Sequence, residues 1–212
     1  FRSNIEIITM KKIFVLLLFP LLTFSQSKKE LITAIQKFQS DLNSEYKNPK
    51  ETPLRGDNFD NFKEHPFFPI DLNYRVKAQF VRTKNAVVFE NPTSSGRTQP
   101  YLEYGTATFS IEGKKYSLKI YQSQNLIKMK EYEDHLFLPF RDETNGKETY
   151  GGGKYMDLKI PKGDFIILDF NKSYQPYCAY NAYDYNCPIV PKANFLPIKI
   201  EAGVKYEDVY HH

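Results

Sequence analysis

Between Arg141 and Asn194 the chain gathers most of the groups that could do chemistry. Arg141 and Lys154 are cations suited to an anionic group, and Asp142, Glu143 and Asp169 could serve as general acid, general base or metal ligands. Thr149, Tyr150, Asn171, Tyr174 and Asn194 add donors, acceptors and aromatic walls. Gly151-Gly152-Gly153 lets the backbone turn sharply or lets something approach it closely. One reading is a pocket for a small polar or anionic ligand. A second is a hydrolase with Asp142, Glu143 or Asp169 as acid/base. A third is a non-catalytic envelope interaction protein, in which the same residues form an internal ion-pair and hydrogen-bond network holding long loops. For Asp169 the position favours that network, because a carboxylate closing an apolar strand caps a turn or pairs with an arginine.

Other chemistries find no support. The glycines lack Walker spacing and the Lys-Ser/Thr that follows it, no HExxH occurs, and no GxSxG elbow is present. His211 and His212 are terminal, which leaves His65 and His135, and His135 opens a strand with apolar neighbours. No motif specifies a cofactor or a metal. Cys178 and Cys187 are the two cysteines, nine positions apart. In an oxidising compartment such a pair closes a disulfide, stabilising by about 2.7 kcal/mol in the chain-entropy model. A zinc site, which needs about four ligands, and two free thiols are the rival readings.

Compartment is suggested by the first residues. Met10-Lys11-Lys12, the apolar run Ile13 to Leu22 and Thr23-Phe24-Ser25 follow the order of a secretory signal peptide. Residues 1–25 are therefore expected to be upstream residues plus leader, and the mature chain to be periplasmic or secreted. The apolar run is shorter than the roughly 20 residues of a membrane span, so no stable span is expected after cleavage. Net charge is +4. Arg2, Lys11 and Lys12 against Glu6 put +2 of this in the leader and leave +2 for the rest. That near-balance gives no basis for a nucleic-acid partner; a small-molecule ligand is the partner considered.

The elements that must position these residues follow from periodicity. Ser27-Lys28-Lys29-Glu30 reads as a capping box, and Leu31, Ile35, Phe38 and Leu42 share one helical face, so 26–48 is an N-terminal amphipathic helix ended by Asn48-Pro49. Residues 49–212 form a β-rich domain. Its first part, 49–73, is an extended loop carrying Phe59, Phe62, Phe67 and Phe68. Period-two alternation then marks strands at Val76-Ala78-Phe80, Ala107-Phe109-Ile111 and Tyr116-Leu118-Ile120, the last two joined by a hairpin at Glu112-Gly113-Lys114. Further strands are expected at 86–90, 135–140, 155–160, 164–170 and 196–201. Asp164-Phe-Ile-Ile-Leu-Asp-Phe170 is apolar on both faces and is expected to lie centrally. The fold class is mainly β, a single-domain antiparallel sandwich or partly closed barrel with one helix.

The 141–194 segment also resembles a family, the bacterial domain of unknown function 1684. The resemblance spans about 50–205. It rests on Pro139-Phe140-Arg141-Asp142-Glu143-Thr144, Glu148-Thr149-Tyr150, Gly153-Lys154-Tyr155-Met156 and Leu168-Asp169-Phe170-Asn171. It continues through Tyr174, Pro176, Cys178-Ala179-Tyr180, Cys187-Pro188, Asn194, Leu196 and Ala202-Gly203. Lys154 stands where the family pattern has arginine, which turns a bidentate contact into a point charge. Ser173-Tyr174-Gln175-Pro176 replaces AYNP, and Ala193 and Val204 stand at positions of glutamate. The resemblance implies no particular activity.

Overall fold

The computed structural model describes residues 27–207 and 209–210. The expected leader, 1–25, lies outside these residues, as do His211 and His212. The Ser27 hydroxyl accepts from the Glu30 amide at 3.2 Å while the Glu30 carboxylate accepts from the Ser27 amide at 2.8 Å. This closed capping box starts α1, Lys28–Lys47, and Asn48 ends it in extended geometry. Ile35 and Tyr46 are its fully buried positions. The 49–73 loop carries one short helical turn, α2 (Asp57–Asp60), that the aromatic spacing did not reveal.

Eight strands follow: β1 (Arg75–Arg82), β2 (Val88–Pro92), β3 (Thr98–Ile111), β4 (Lys114–Ser123), β5 (His135–Asp142), β6 (Lys154–Lys159), β7 (Phe165–Asp169) and β8 (Phe195–Leu196). They form one sheet in the order β6-β5-β4-β3-β1-β7, with β2 on β3 and β8 on β5. β3 and β4 meet through the two-residue turn Glu112-Gly113, both at positive φ (50° and 76°). That is the geometry whose twist matches a hairpin. All ladders are antiparallel except β5–β8, which is parallel. Of the expected 196–201 strand only Leu196 joins the sheet, paired there together with Phe195 before it.

The sheet curls into a half-barrel rather than splitting into a sandwich. Its two ends approach each other: Met156 and Leu158 of β6 and Ile167 of β7 line one cavity of about 250 Å³ with Leu31 and Ala34 of α1. Beyond β7, Tyr174 exchanges backbone hydrogen bonds with Tyr155 of β6 at 2.8 and 3.0 Å. The helix thus covers the seam of an incompletely closed barrel.

The expectation of a central 164–170 strand is corrected. β7 is a terminal strand with one neighbour, β1. Phe165 and Ile167 face outward, 53% and 39% exposed, and the Lys77 ammonium lies 4.1 Å from the Phe165 ring centroid. An apolar run cannot by itself tell a central strand from an edge strand whose outer face is shielded by long side chains. The strand most fully covered on both faces is β5. Leu136, Leu138 and Phe140 enter the main core with Phe109, Leu118, Ile120, Leu168 and Phe170. Phe137 points the other way, into a second cluster with Tyr101, Tyr121, Tyr155 and Val190.

A third cluster ties α1 to the loops through Tyr46, Leu54, Ala179 and Tyr180. His65 sits within it, 3% exposed, its ring 4.2 Å from Tyr46 and 5.0 Å from Phe62. Burial lowers its pKa from 6.5 to about 3. The unfolded chain therefore takes up this proton first, so the contribution to stability is full above pH 6.5 and is lost as pH falls toward 3. The slope is about 1.4 kcal/mol per pH unit, or about 2 kcal/mol between pH 7 and pH 5. His65→Phe should abolish that component, measured as urea midpoints at the two pH values. An unchanged pH dependence in the variant would remove His65 as its source.

Candidate functional site

At the upper end of β5 and β6 the structure brings Asp142, Thr144, Thr149 and Lys154 into contact. Lys154 Nζ lies 2.9 Å from Asp142 Oδ2, both side chains fully buried. The ammonium also donates to the Ile200 carbonyl at 2.9 Å and to Thr144 Oγ1 at 3.5 Å. Asp142 Oδ1 accepts from the amides of Thr144 (2.8 Å) and Ile200 (3.2 Å). Thr149 and Thr144 join hydroxyls at 2.8 Å, and the Asn145 amide bonds Thr149 and the Tyr150 carbonyl. Burial pushes the Lys154 pKa down, and the Asp142 carboxylate opposes that shift. Gly153 lets this turn close. Its φ is +108°, and a β-carbon there would lie 2.6 Å from Val190 and 2.8 Å from the Phe140 carbonyl.

The other members lie apart from this pair. Arg141 and Glu143 are exposed, and Arg141 has no ion-pair partner among the described residues. Asp169 ends β7, 3.6 Å from the Arg75 guanidinium. Asn171 grips one loop residue from both sides: its oxygen accepts from the Asp71 amide (3.0 Å) and its NH₂ donates to the Asp71 carbonyl (2.9 Å) and to Asp169 (3.0 Å). Asn194 repeats the device between β4 and β5. It accepts from the Lys119 amide (2.8 Å) and donates to the carbonyls of Lys119 (2.8 Å) and Pro139 (2.7 Å). Asp142, Lys154, Asn171 and Asn194 are thus all engaged inside the fold. Cys178 and Cys187 form a disulfide. Ser94 straps it to the β2 end: its hydroxyl accepts from the Cys187 amide and its own amide donates to the Cys187 carbonyl.

Tyr174 points to different ground. Its hydroxyl donates to Asp157 Oδ2 at 2.7 Å. The other oxygen, Oδ1, takes His135 Nε2 at 2.8 Å. A carboxylate only accepts, so Nε2 carries the proton here. Two cavities share Tyr155, Asp157 and Pro188. One, about 490 Å³, contains His135, Tyr101, Ser123 and Phe137. The other, about 440 Å³, is a groove between α1 and the 174–188 segment, walled by Phe38, Tyr155, Tyr174, Tyr177 and Tyr185. In that groove Tyr177 donates to Glu45 of α1. Burial and the adjacent carboxylates raise the pKa of both phenols, so they remain donors. Among the described residues no three His, Cys, Asp or Glu side chains are grouped to hold a metal.

Residues 60–205 match the family model described as a protein of unknown function, DUF1684. The chain belongs to the DUF1684 family. It is similar to a solved structure, the solution structure of the uncharacterized protein from gene locus rrnAC0354 of Haloarcula marismortui. The two share 29% identity over 86% of this chain and 97% of the other, with a TM-score of 0.66. A search of curated proteins gives no match.

Several groove residues of this DUF1684 chain escaped the sequence reading. Tyr155 and Asp157 read from sequence as strand residues, and their i, i+2 spacing puts both on one face of β6. Phe38, Leu42 and Glu45, at i, i+4 and i+7, share a face of α1. Phe38 and Leu42 were legible only as a packing stripe.

Proposed function

We propose that this DUF1684 protein is an exported, small-molecule-binding β-domain whose ligand site is the tyrosine-walled groove between α1 and the 174–188 segment. The carrying observation is the contrast between two polar groups of residues. The Asp142–Lys154 network is closed on itself and fully buried, which leaves a ligand no access to it. The groove holds a carboxylate, Asp157, whose side chain is 52% exposed, among aromatic walls. A concave, mostly apolar site with a few placed polar groups is the usual form of a small-molecule site. Export is supported by the leader pattern of Met10 to Ser25 and by the Cys178–Cys187 disulfide.

A fragment collection titrated into isotope-labelled protein tests this reading. Amide shifts should concentrate on Tyr155, Asp157, Tyr174 and Tyr177. Shifts confined to the separate apolar cavity lined by Val87, Phe89 and Ile189 would place the site elsewhere.

A further inference from the structure

We propose that the groove between α1 and the 174–188 segment selects a small organic cation of the methylated-ammonium class. This rests on the groove being a ligand site at all and adds the chemistry of what it takes.

The walls carry two carboxylates, Glu45 and Asp157, and no lysine, arginine or histidine. This stands out in a chain of net charge +4. Tyr177 and Tyr185 meet at 4.9 Å and 72°, and Tyr155 and Tyr174 at 6.1 Å and 89°. These tyrosines wall the groove together, and an aromatic wall beside carboxylates attracts a cation through the negative face of the ring. A volume of about 440 Å³ admits a small molecule.

The acceptors favour one class of cation. Each Asp157 oxygen already accepts one bond, from His135 and from Tyr174, and Glu45 accepts one from Tyr177. A primary ammonium would have to share the remaining lone pairs of these carboxylates among three N–H donors. A quaternary ammonium brings none. It needs aromatic surface and negative charge: Tyr177 donates to Glu45 without cancelling its charge, and Asp157 keeps its charge while its partner His135 is neutral.

The test is calorimetric titration of the full chain with choline chloride, ethanolamine and 3,3-dimethyl-1-butanol, the neutral isostere of choline, at constant ionic strength. Choline should bind at least about tenfold more tightly than either of the others. Asp157→Asn and, separately, Glu45→Gln should each weaken choline about fivefold while leaving the melting temperature near wild type, and neither should change the response to the neutral isostere. Equal binding of choline and its isostere, or tighter binding of ethanolamine, overturns the cation assignment and leaves the groove a ligand site. Fragment binding at the groove with no choline binding does the same. Absence of any ligand from the groove defeats both readings.

Discussion

Replacing Lys154 by methionine while Asp142 stays in place is expected to cost about 3–5 kcal/mol, because it leaves a buried carboxylate without its counter-charge. Both side chains have zero exposure, so no rearrangement of water can rescue the orphan. The same principle predicts that the loss belongs to the broken pair and not to either residue. Asp142→Asn keeps an oxygen to accept from the Thr144 and Ile200 amides, so the double variant Lys154→Met/Asp142→Asn should recover at least half of the loss. Urea unfolding of the wild type, both single variants and the double variant closes the cycle. A Lys154→Met protein within about 1 kcal/mol of wild type would show that the pair is not a structural tie. Asp169 makes a useful contrast. Its partner Arg75 is 3.6 Å away and both side chains are partly exposed. Asp169→Asn also keeps an acceptor for Asn171, so its cost should stay near the ~1 kcal/mol of a solvent-screened pair.

That contrast bears on what residue types alone disclose. The helix start, the β3–β4 hairpin and most strand positions, though not the one expected at 196–201, were legible because each follows from local rules, namely capping, turn geometry and period two. The curl of the sheet was legible only as one of two options, a sandwich or a partly closed barrel. It depends on β6 and β7 approaching each other across α1, a contact between segments far apart in sequence. For the same reason the apolar run at 164–170 suggests a centre and occupies an end, while β5, with its interrupting Pro139, is the strand most fully covered on both faces. The polar cluster was found by composition, but composition does not say whether a carboxylate faces solvent or a lysine. Lys154, read as a cation for an anionic ligand, turned out to have its anion in the same turn. The groove residues were hidden because two of its walls lie on regular elements, β6 and α1, whose outward faces look like any solvated face until the 174–188 segment covers them.

Asn194 is where a side chain replaces missing sheet. β4 and β5 pair at a single position, Tyr121 with Phe137, and then part. Above that point the Asn194 amide bonds Lys119 of β4 through both its N–H and its carbonyl, and reaches the Pro139 carbonyl of β5. Asn194 itself is wholly buried. Alanine there leaves one backbone donor and two acceptors unpaired in the interior. At about 1–3 kcal/mol for each group left unsatisfied, partly offset by relaxation, the expected loss is about 3–5 kcal/mol. Aspartate is nearly the same shape and can still accept from the Lys119 amide, but its second oxygen would face two carbonyls. Asn194→Asp should therefore destabilise at least as much as alanine at neutral pH and recover partly in acid, where a protonated carboxyl can donate again. Hydrogen exchange locates the damage: the Lys119 amide should lose protection in the alanine variant before the amides of the β1–β3 ladder do. If the Asn194→Ala midpoint and the Lys119 exchange rate both match wild type, then β4 and β5 hold together without the clamp. The splayed upper half of the barrel would then be stabilised by packing of Leu118, Leu138 and Leu196 alone.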